Sequence, residues 1–208
     1  MHELFLSAAL AALTVSAGTA DVIDRLMAVV GSHVITLSDV RAIQTFGLLP
    51  GGVKSDSIPE VLAYLIDRQL ELGEVERYSA PEPDAAQVDR RMSEIRARLA
   101  TPSAFEQALA RTAMSEQRLR QVVADDLRID AYLEQQFGAA AQPTPEEVQR
   151  YYAGHPDEFT RAGRLLPFDE AQPAALERVT AARRTALIRD WLDRLRRRSN
   201  VLNLYTPR

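Results

Sequence analysis

A chain of 208 residues with 46% hydrophobic and 26% charged residues is long enough to bury a core and lacks the composition of a disordered chain. Its formal charge of −4 gives no electrostatic reason to expect nucleic acid as a partner, and Lys54 is its only lysine, so arginine carries nearly all the positive charge. Cysteine is absent, which excludes a disulfide framework and thiolate chemistry.

The chain opens with "MHELFLSAALAALTVSAGTA". Its apolar run, Leu4 to Val15, is too short to cross a bilayer and ends in small residues of the kind a signal peptidase accepts. Residues 1–20 are therefore expected to be a secretory signal peptide, with the mature protein starting near Ala20, although His2 and Glu3 stand where basic residues are usual. Next, "RLMAVVGSHVITLSDV" reads as two short strands around a Gly31-Ser32 loop, because glycine supplies the positive φ that a II′ turn needs at its first central position. A lone hairpin is marginal in water, so another segment must cover it.

Thr36 or Ser38 can cap a short helix running to about Phe46, which "GLLPGG" ends. "DSIPEVLAYLIDRQLELGEVERY" predicts a longer one: Ser57 and Glu60 have capping-box spacing, and Ile58, Val61, Leu62, Leu65, Ile66 and Leu72 form a wide apolar face suited to a central helix. Asp84 caps a third helix with Val88, Met92, Ile95 and Leu99 on one stripe. A short fourth helix is expected from Ser103 as cap, anchored by Phe105 and Leu109. Ser115 opens a fifth, carrying Leu119, Val122, Val123, Ile129 and Leu133, and Gly138 with the alanines behind it reads as its end and a flexible joint. Thr144 and Glu147 form another capping box around Pro145, closed by Gly154 and Pro156. From Pro173 one long helix is predicted, with Leu176, Val179, Leu187, Trp191 and Leu195 inward, and "VLNLY" follows as a strand. That strand has no local partner, so it is expected to pair with the opening hairpin. The fold class is mainly α (α+β): a helical domain with a small antiparallel sheet formed by the N-terminal hairpin and the C-terminal strand.

Chemical motifs are few. His2, His33 and His155 have no second ligand at metal spacing, neither a phosphate-binding loop nor a dinucleotide fingerprint occurs, and no nucleophile elbow is present. No cofactor, metal or catalytic residue is expected. Pairs such as Asp125-Asp126 and Glu146-Glu147 read as solvated helix faces beside arginines, and the arginines of "RDWLDRLRRRSN" suit a helix C-terminus without requiring an anionic partner.

Taken together, "DRLMAVVGSHVITLSDV", "IPEVLAYLIDRQLELGEVERY" and "SAFEQALARTAMSEQRLRQVVADDLRIDAYL" resemble the N-terminal chaperone domain of SurA-type periplasmic foldases. "TPEEVQRYYAGHPDEF" is similar to the segment that in SurA and PrsA relatives leads into a parvulin prolyl isomerase domain, and the "FDEAQPAALERVTAARRTALIRDWLDRLRRRSNVLNLY" region is similar to the closing helix and strand. Where the parvulin domain would sit, this chain has only "TRAGRLLP" between Phe159 and Phe168, too little to build a catalytic sheet and pocket. The resemblance divides the chain into a signal peptide (1–20), a helical chaperone domain (21–138), a linker helix and loop (139–172), and a helix and strand (173–208) that complete the chaperone domain. It implies an ATP-independent periplasmic holdase for unfolded exported or outer-membrane proteins. The departure at the parvulin position sets the expectation of no enzyme activity, and the charge balance and short apolar run set that of no nucleic acid and no transmembrane segment. Phe46, Leu49, Met92, Phe105 and Met114 are the expected client-binding residues, and the exposed closure of the sheet would allow a domain-swapped homodimer. Residual prolyl isomerase activity and a dedicated assembly factor for a single partner are the alternatives.

Overall fold

A computed structural model describes residues 24–99 and 101–207, so the expected signal peptide lies outside the described residues. Strands β1 (Leu26–Val30) and β2 (His33–Thr36) form the opening hairpin. Gly31 sits at φ 59° and Ser32 does not share its positive φ, the sign pattern of a II′ turn. The last strand, β5 (Val201–Asn203), pairs antiparallel with β1, giving the sheet order β2-β1-β5 and joining the two ends of the described chain. The helices between them make the fold mainly α with a small antiparallel sheet, as the sequence pattern predicts.

Capping explains where most helices start. Helix α1 (Leu37–Phe46) begins at Thr36, whose hydroxyl accepts from the Asp39 N–H at 3.3 Å while the Asp39 carboxylate accepts from the Thr36 N–H at 2.8 Å. It ends at Gly47 (φ 60°), whose left-handed backbone lets Leu48 N–H reach the Ile43 carbonyl at 3.0 Å. In α2 (Ile58–Arg77) Ser57 caps the Glu60 N–H, but Glu60 turns its carboxylate to the Lys54 N–H at 3.1 Å, so the box is half made. Asp84 caps α3 (Ala85–Arg98). Helix α4 (Pro102–Arg111) is capped by Thr101, not Ser103: Thr101 precedes a proline at the first helical position, where the missing N–H costs nothing. Ser115 caps α5 (Glu116–Phe137), and Thr144 with Glu147 caps α6 (Pro145–Gly154). Between them, Ala141 is fully buried and donates its N–H to the Phe137 carbonyl, so the expected flexible joint is a packed turn.

The main core lies under the sheet, where Met27, Ala28, Val30 and Ile35 meet Val61, Leu62, Leu65 and Ile66 of α2, Val40, Ile43 and Phe46 of α1, Met92 and Ile95 of α3, and Leu119 and Val123 of α5. A second cluster joins Leu72 and Val75 of α2 to Ile129, Tyr132 and Leu133 of α5. A third, formed by Val148, Phe159, Ala171 and Ala175, ties α6 to the start of α7 (Phe168–Arg198). Helix α7 starts five residues before Pro173, which stands inside it. The acids Asp169 and Glu170 in its first turn favour that earlier start, and a proline so near the helix start forfeits a single intrahelical bond. Leu176 is exposed rather than inward, because Ala171 and Ala175 hold the packed face there. Within "TRAGRLLP", β3 (Thr160–Arg161) and β4 (Arg164–Leu165) form a tight hairpin turning through Ala162 (φ 50°) and Gly163 (φ 75°).

Candidate functional site

The outer face of the sheet is apolar and uncovered among the described residues. In a regular strand alternate residues face opposite sides, but β1 carries a bulge between Leu26 and Ala28 that turns two consecutive residues, Met27 and Ala28, inward. Leu26 is thereby left outside, and beyond the bulge alternation resumes with Val29 outward. Register places Val34, Val29 and Leu202 in one row across the three strands on that outer face. Exposure is 51% for Leu26, 41% for Val34, 54% for Leu202 and 40% for Leu204, far above what a helix-covered sheet face shows.

A second apolar surface opens where α3 passes to α4. A cleft of about 530 Å3 is lined by Leu99, Pro102, Phe105 and Leu109, with Arg96 and Glu116 on its rim. Phe105 forms its floor: its ring lies edge-on to Phe46 at 6.0 Å, and the Arg96 guanidinium sits 5.2 Å above it while ion-paired to Glu116.

A third feature is polar and acidic. Arg68 of α2 is buried and binds the Asp126 carboxylate at 2.5 Å and the Val122 carbonyl at 2.9 Å, with Asp125 at 3.8 Å. Beside it a cleft of about 280 Å3 holds Tyr64, Glu71, Arg91, Asp126 and Asp130 against Leu49, Pro50 and Ile129. Burial, and then the negative charge of Asp67 one turn away, push the Glu71 carboxyl up to about 7. Burial likewise raises Asp126 and Asp130, against the pull of Arg68 on Asp126 and of Arg184 on Asp130. Among the described residues no group of three or more His, Cys, Asp or Glu side chains is arranged to hold a metal ion. His155 stacks on Tyr151 at 4.1 Å, with its Nδ1 2.9 Å from the Tyr151 carbonyl oxygen. Two of the arginines at the end of α7 work within the chain: Arg196 grips Asp67 with both ends of its fork at 2.8 and 2.5 Å, and Arg198 meets Glu74 at 2.8 Å.

The expected client-binding residues are dispersed by this packing. Phe46 and Met92 lie in the main core, 2% and 0% exposed, which removes them from any surface. Phe105 is buried as the floor of the α3–α4 cleft. Leu49 and Met114 are half-buried against the main core, Leu49 at the acidic cleft and Met114 beside Arg68 and Ile43. The exposed leucines of the sheet face were not singled out from the sequence. Their signal is the alternation of "VLNLY", which sets Leu202 and Leu204 on one side and Val201 and Tyr205 on the other.

The described chain is similar to a solved SurA-like chaperone structure from Campylobacter jejuni, reported for the virulence factor PEB4 and the periplasmic protein Cj1289. The two align with a TM-score of 0.54 at 15% identity, over 88% of this chain and 100% of the other. That likeness establishes a SurA-like fold. No family model and no curated protein matches this chain.

Proposed function

We propose that this protein is an ATP-independent periplasmic holdase that binds unfolded exported polypeptides, outer-membrane proteins among them. The observation that carries this reading is the uncovered apolar face of the β2-β1-β5 sheet, on which Leu26, Val34, Leu202 and Leu204 stand in solvent within a SurA-like fold. An apolar surface of this kind is non-directional, so it accepts many sequences and releases them without nucleotide-driven work. The α3–α4 cleft over Phe105 is the second contact, of a size to take one or two apolar side chains, and Leu49 and Met114 are edge contacts. Periplasmic location rests on the apolar run Leu4 to Val15 and the small residues up to Ala20. The resemblance read from the sequence puts a parvulin domain after Phe159, where this chain has only the short hairpin of residues 160–165, and that supports reading the protein as a non-enzyme.

The test is light scattering of an unfolded outer-membrane protein diluted into buffer without ATP. Near-stoichiometric chaperone should suppress scattering, and raised salt should leave the suppression intact, because apolar contact is not screened as exposed charge is over a Debye length of about 10 Å at 0.1 M. A proline-containing peptide should isomerise at its uncatalysed rate. Absence of suppression at every ratio overturns the proposal, as does a catalysed isomerisation rate for its non-enzyme part.

A further inference from the structure

We infer that the outer edge of β5 takes up an extended segment of the bound polypeptide as a fourth strand. The inference rests on the holdase reading for the identity of the partner, and on backbone register for the site. Gly31 N–H donates to the Asn200 carbonyl, and Leu204 N–H to the Met27 carbonyl, each at 2.9 Å. Antiparallel bonding alternates along a strand, so positions 200, 202 and 204 face β1, and the N–H and C=O groups of Val201 and Asn203 face away from it. Among the described residues no other strand lies on that side, since β5 neighbours β1 alone.

The free register is short and its limits are built in. The next outward N–H, that of Tyr205, is taken by the Asn203 side-chain oxygen at 2.9 Å, and Pro207, the next outward position, has no N–H to offer. At the opposite edge the Thr36 N–H is taken by Asp39 at 2.8 Å, which leaves Val34 as the one outward-facing residue of β2 with both groups free, against two on β5. Val201 and Asn203 together present two donors and two acceptors, enough for four backbone hydrogen bonds with an incoming strand. Backbone bonding is indifferent to sequence, which suits a partner defined only by being unfolded. Side-chain preference comes from Leu202: the incoming residue opposite it forms a non-hydrogen-bonded pair, with Cα atoms about 4.5 Å apart and both side chains on the apolar outer face. Leu204 repeats the demand two positions along. The partner is thus an amphipathic extended segment with apolar residues at every second position.

A second copy of this chain would fit the same edge about a twofold axis through Leu202. So short a strand buries far less than the roughly 1,200–2,000 Å2 of a stable interface, and that favours a transient polypeptide ligand over a dimer.

Amide hydrogen exchange by NMR on the full chain, with a capped peptide of alternating valine and threonine flanked by lysines as probe, tests the assignment. Saturating peptide should slow exchange at Val201 and Asn203 by about tenfold or more while Leu202 and Leu204, already bonded to β1, change little. Asn203→Pro, which removes an outward N–H and leaves the β1 ladder whole, should weaken peptide binding about tenfold, whereas Asn203→Ala, which keeps the N–H, should not. If Asn203→Pro fails to fold, the exchange pattern of the unaltered chain decides alone. Protection appearing elsewhere, or an Asn203→Pro variant that binds peptide and suppresses scattering normally, overturns the edge site and leaves the holdase reading standing. Protection of Val201 and Asn203 by peptide without suppression of scattering does the reverse. Concentration-dependent protection of the same two amides without peptide assigns the edge to a second copy and overturns the proposal.

Discussion

Glu71 illustrates how a single side chain can work against the fold that holds it. It lies on α2 among Asp67, Asp126 and Asp130, and among the described residues no cation stands within ion-pair distance of it. Loss of hydration and the Asp67 charge both disfavour its ionised form, raising its pKa from 4.5 to about 7. Between those two values the native protein keeps a proton that the unfolded chain has lost, so this group's contribution is fully present below pH 4.5 and disappears as pH rises through about 7. Glu71→Gln should therefore raise Tm at pH 8, by an amount equivalent to about 1–2 kcal/mol after allowance for the water that still reaches the carboxyl. The gain should vanish toward pH 4.5 in thermal melts across that range. An equal gain at every pH would mean that the charge of Glu71 is not what the fold tolerates poorly.

At the scale of elements, α2 and α5 are joined by apolar contacts at both ends and by the buried Arg68 between them. Arg68 donates to a carboxylate and to the Val122 carbonyl of α5, so its removal would strand Asp126 and Asp125 without a counter-charge. Arg68→Ala should cost about 3–5 kcal/mol in urea denaturation, well beyond the effect of truncating an exposed arginine of the same helix such as Arg77. An effect below about 1 kcal/mol would show that water enters and solvates the two aspartates. Helix α7 docks differently. It touches each of the three apolar clusters in turn, through Ala171 and Ala175, then Ile188 and Trp191, then Leu195, and most of the rest of its surface is in solvent. Trp191 is the hinge of that arrangement, its ring within 6.0 Å of Tyr132 and 5.6 Å of Phe137.

For the whole molecule the decisive contact is the pairing of β5 with β1, which binds the last residues of the described chain to its first strand. Val201 and Tyr205 pack on the main core, and Arg25 reaches the Thr206 carbonyl at 3.4 Å. Removal of Val201 to Arg208 uncovers the β1 edge and part of that core together. With roughly 1.5–3 kcal/mol for each apolar side chain buried, the loss should be a large share of a total stability of about 5–15 kcal/mol. The truncated protein should melt cooperatively at a clearly lower temperature in calorimetry. An unchanged Tm would mean that the strand is an appendage and not part of the fold.

Much of this was legible in the sequence because its signals are local. Thr36, Ser57, Asp84, Ser115 and Thr144 start their helices through bonds to residues two or three positions away, and Gly31 makes its turn from its own backbone freedom. The pairing of "VLNLY" with the hairpin was also foreseeable, since an apolar strand without a local partner must find a distant one. Exposure was not legible, because a wide apolar helix face reads the same whether a neighbour covers it or not. Three-dimensional packing alone placed Phe46 and Met92 in the core and left Leu26, Val34, Leu202 and Leu204 outside. The bulge that turns Met27 and Ala28 inward together belongs to the pairing of β1 with β2, and the open edge at Val201 and Asn203 belongs to the register of β5 on β1. Both are relations between strands, and no residue carries them by itself.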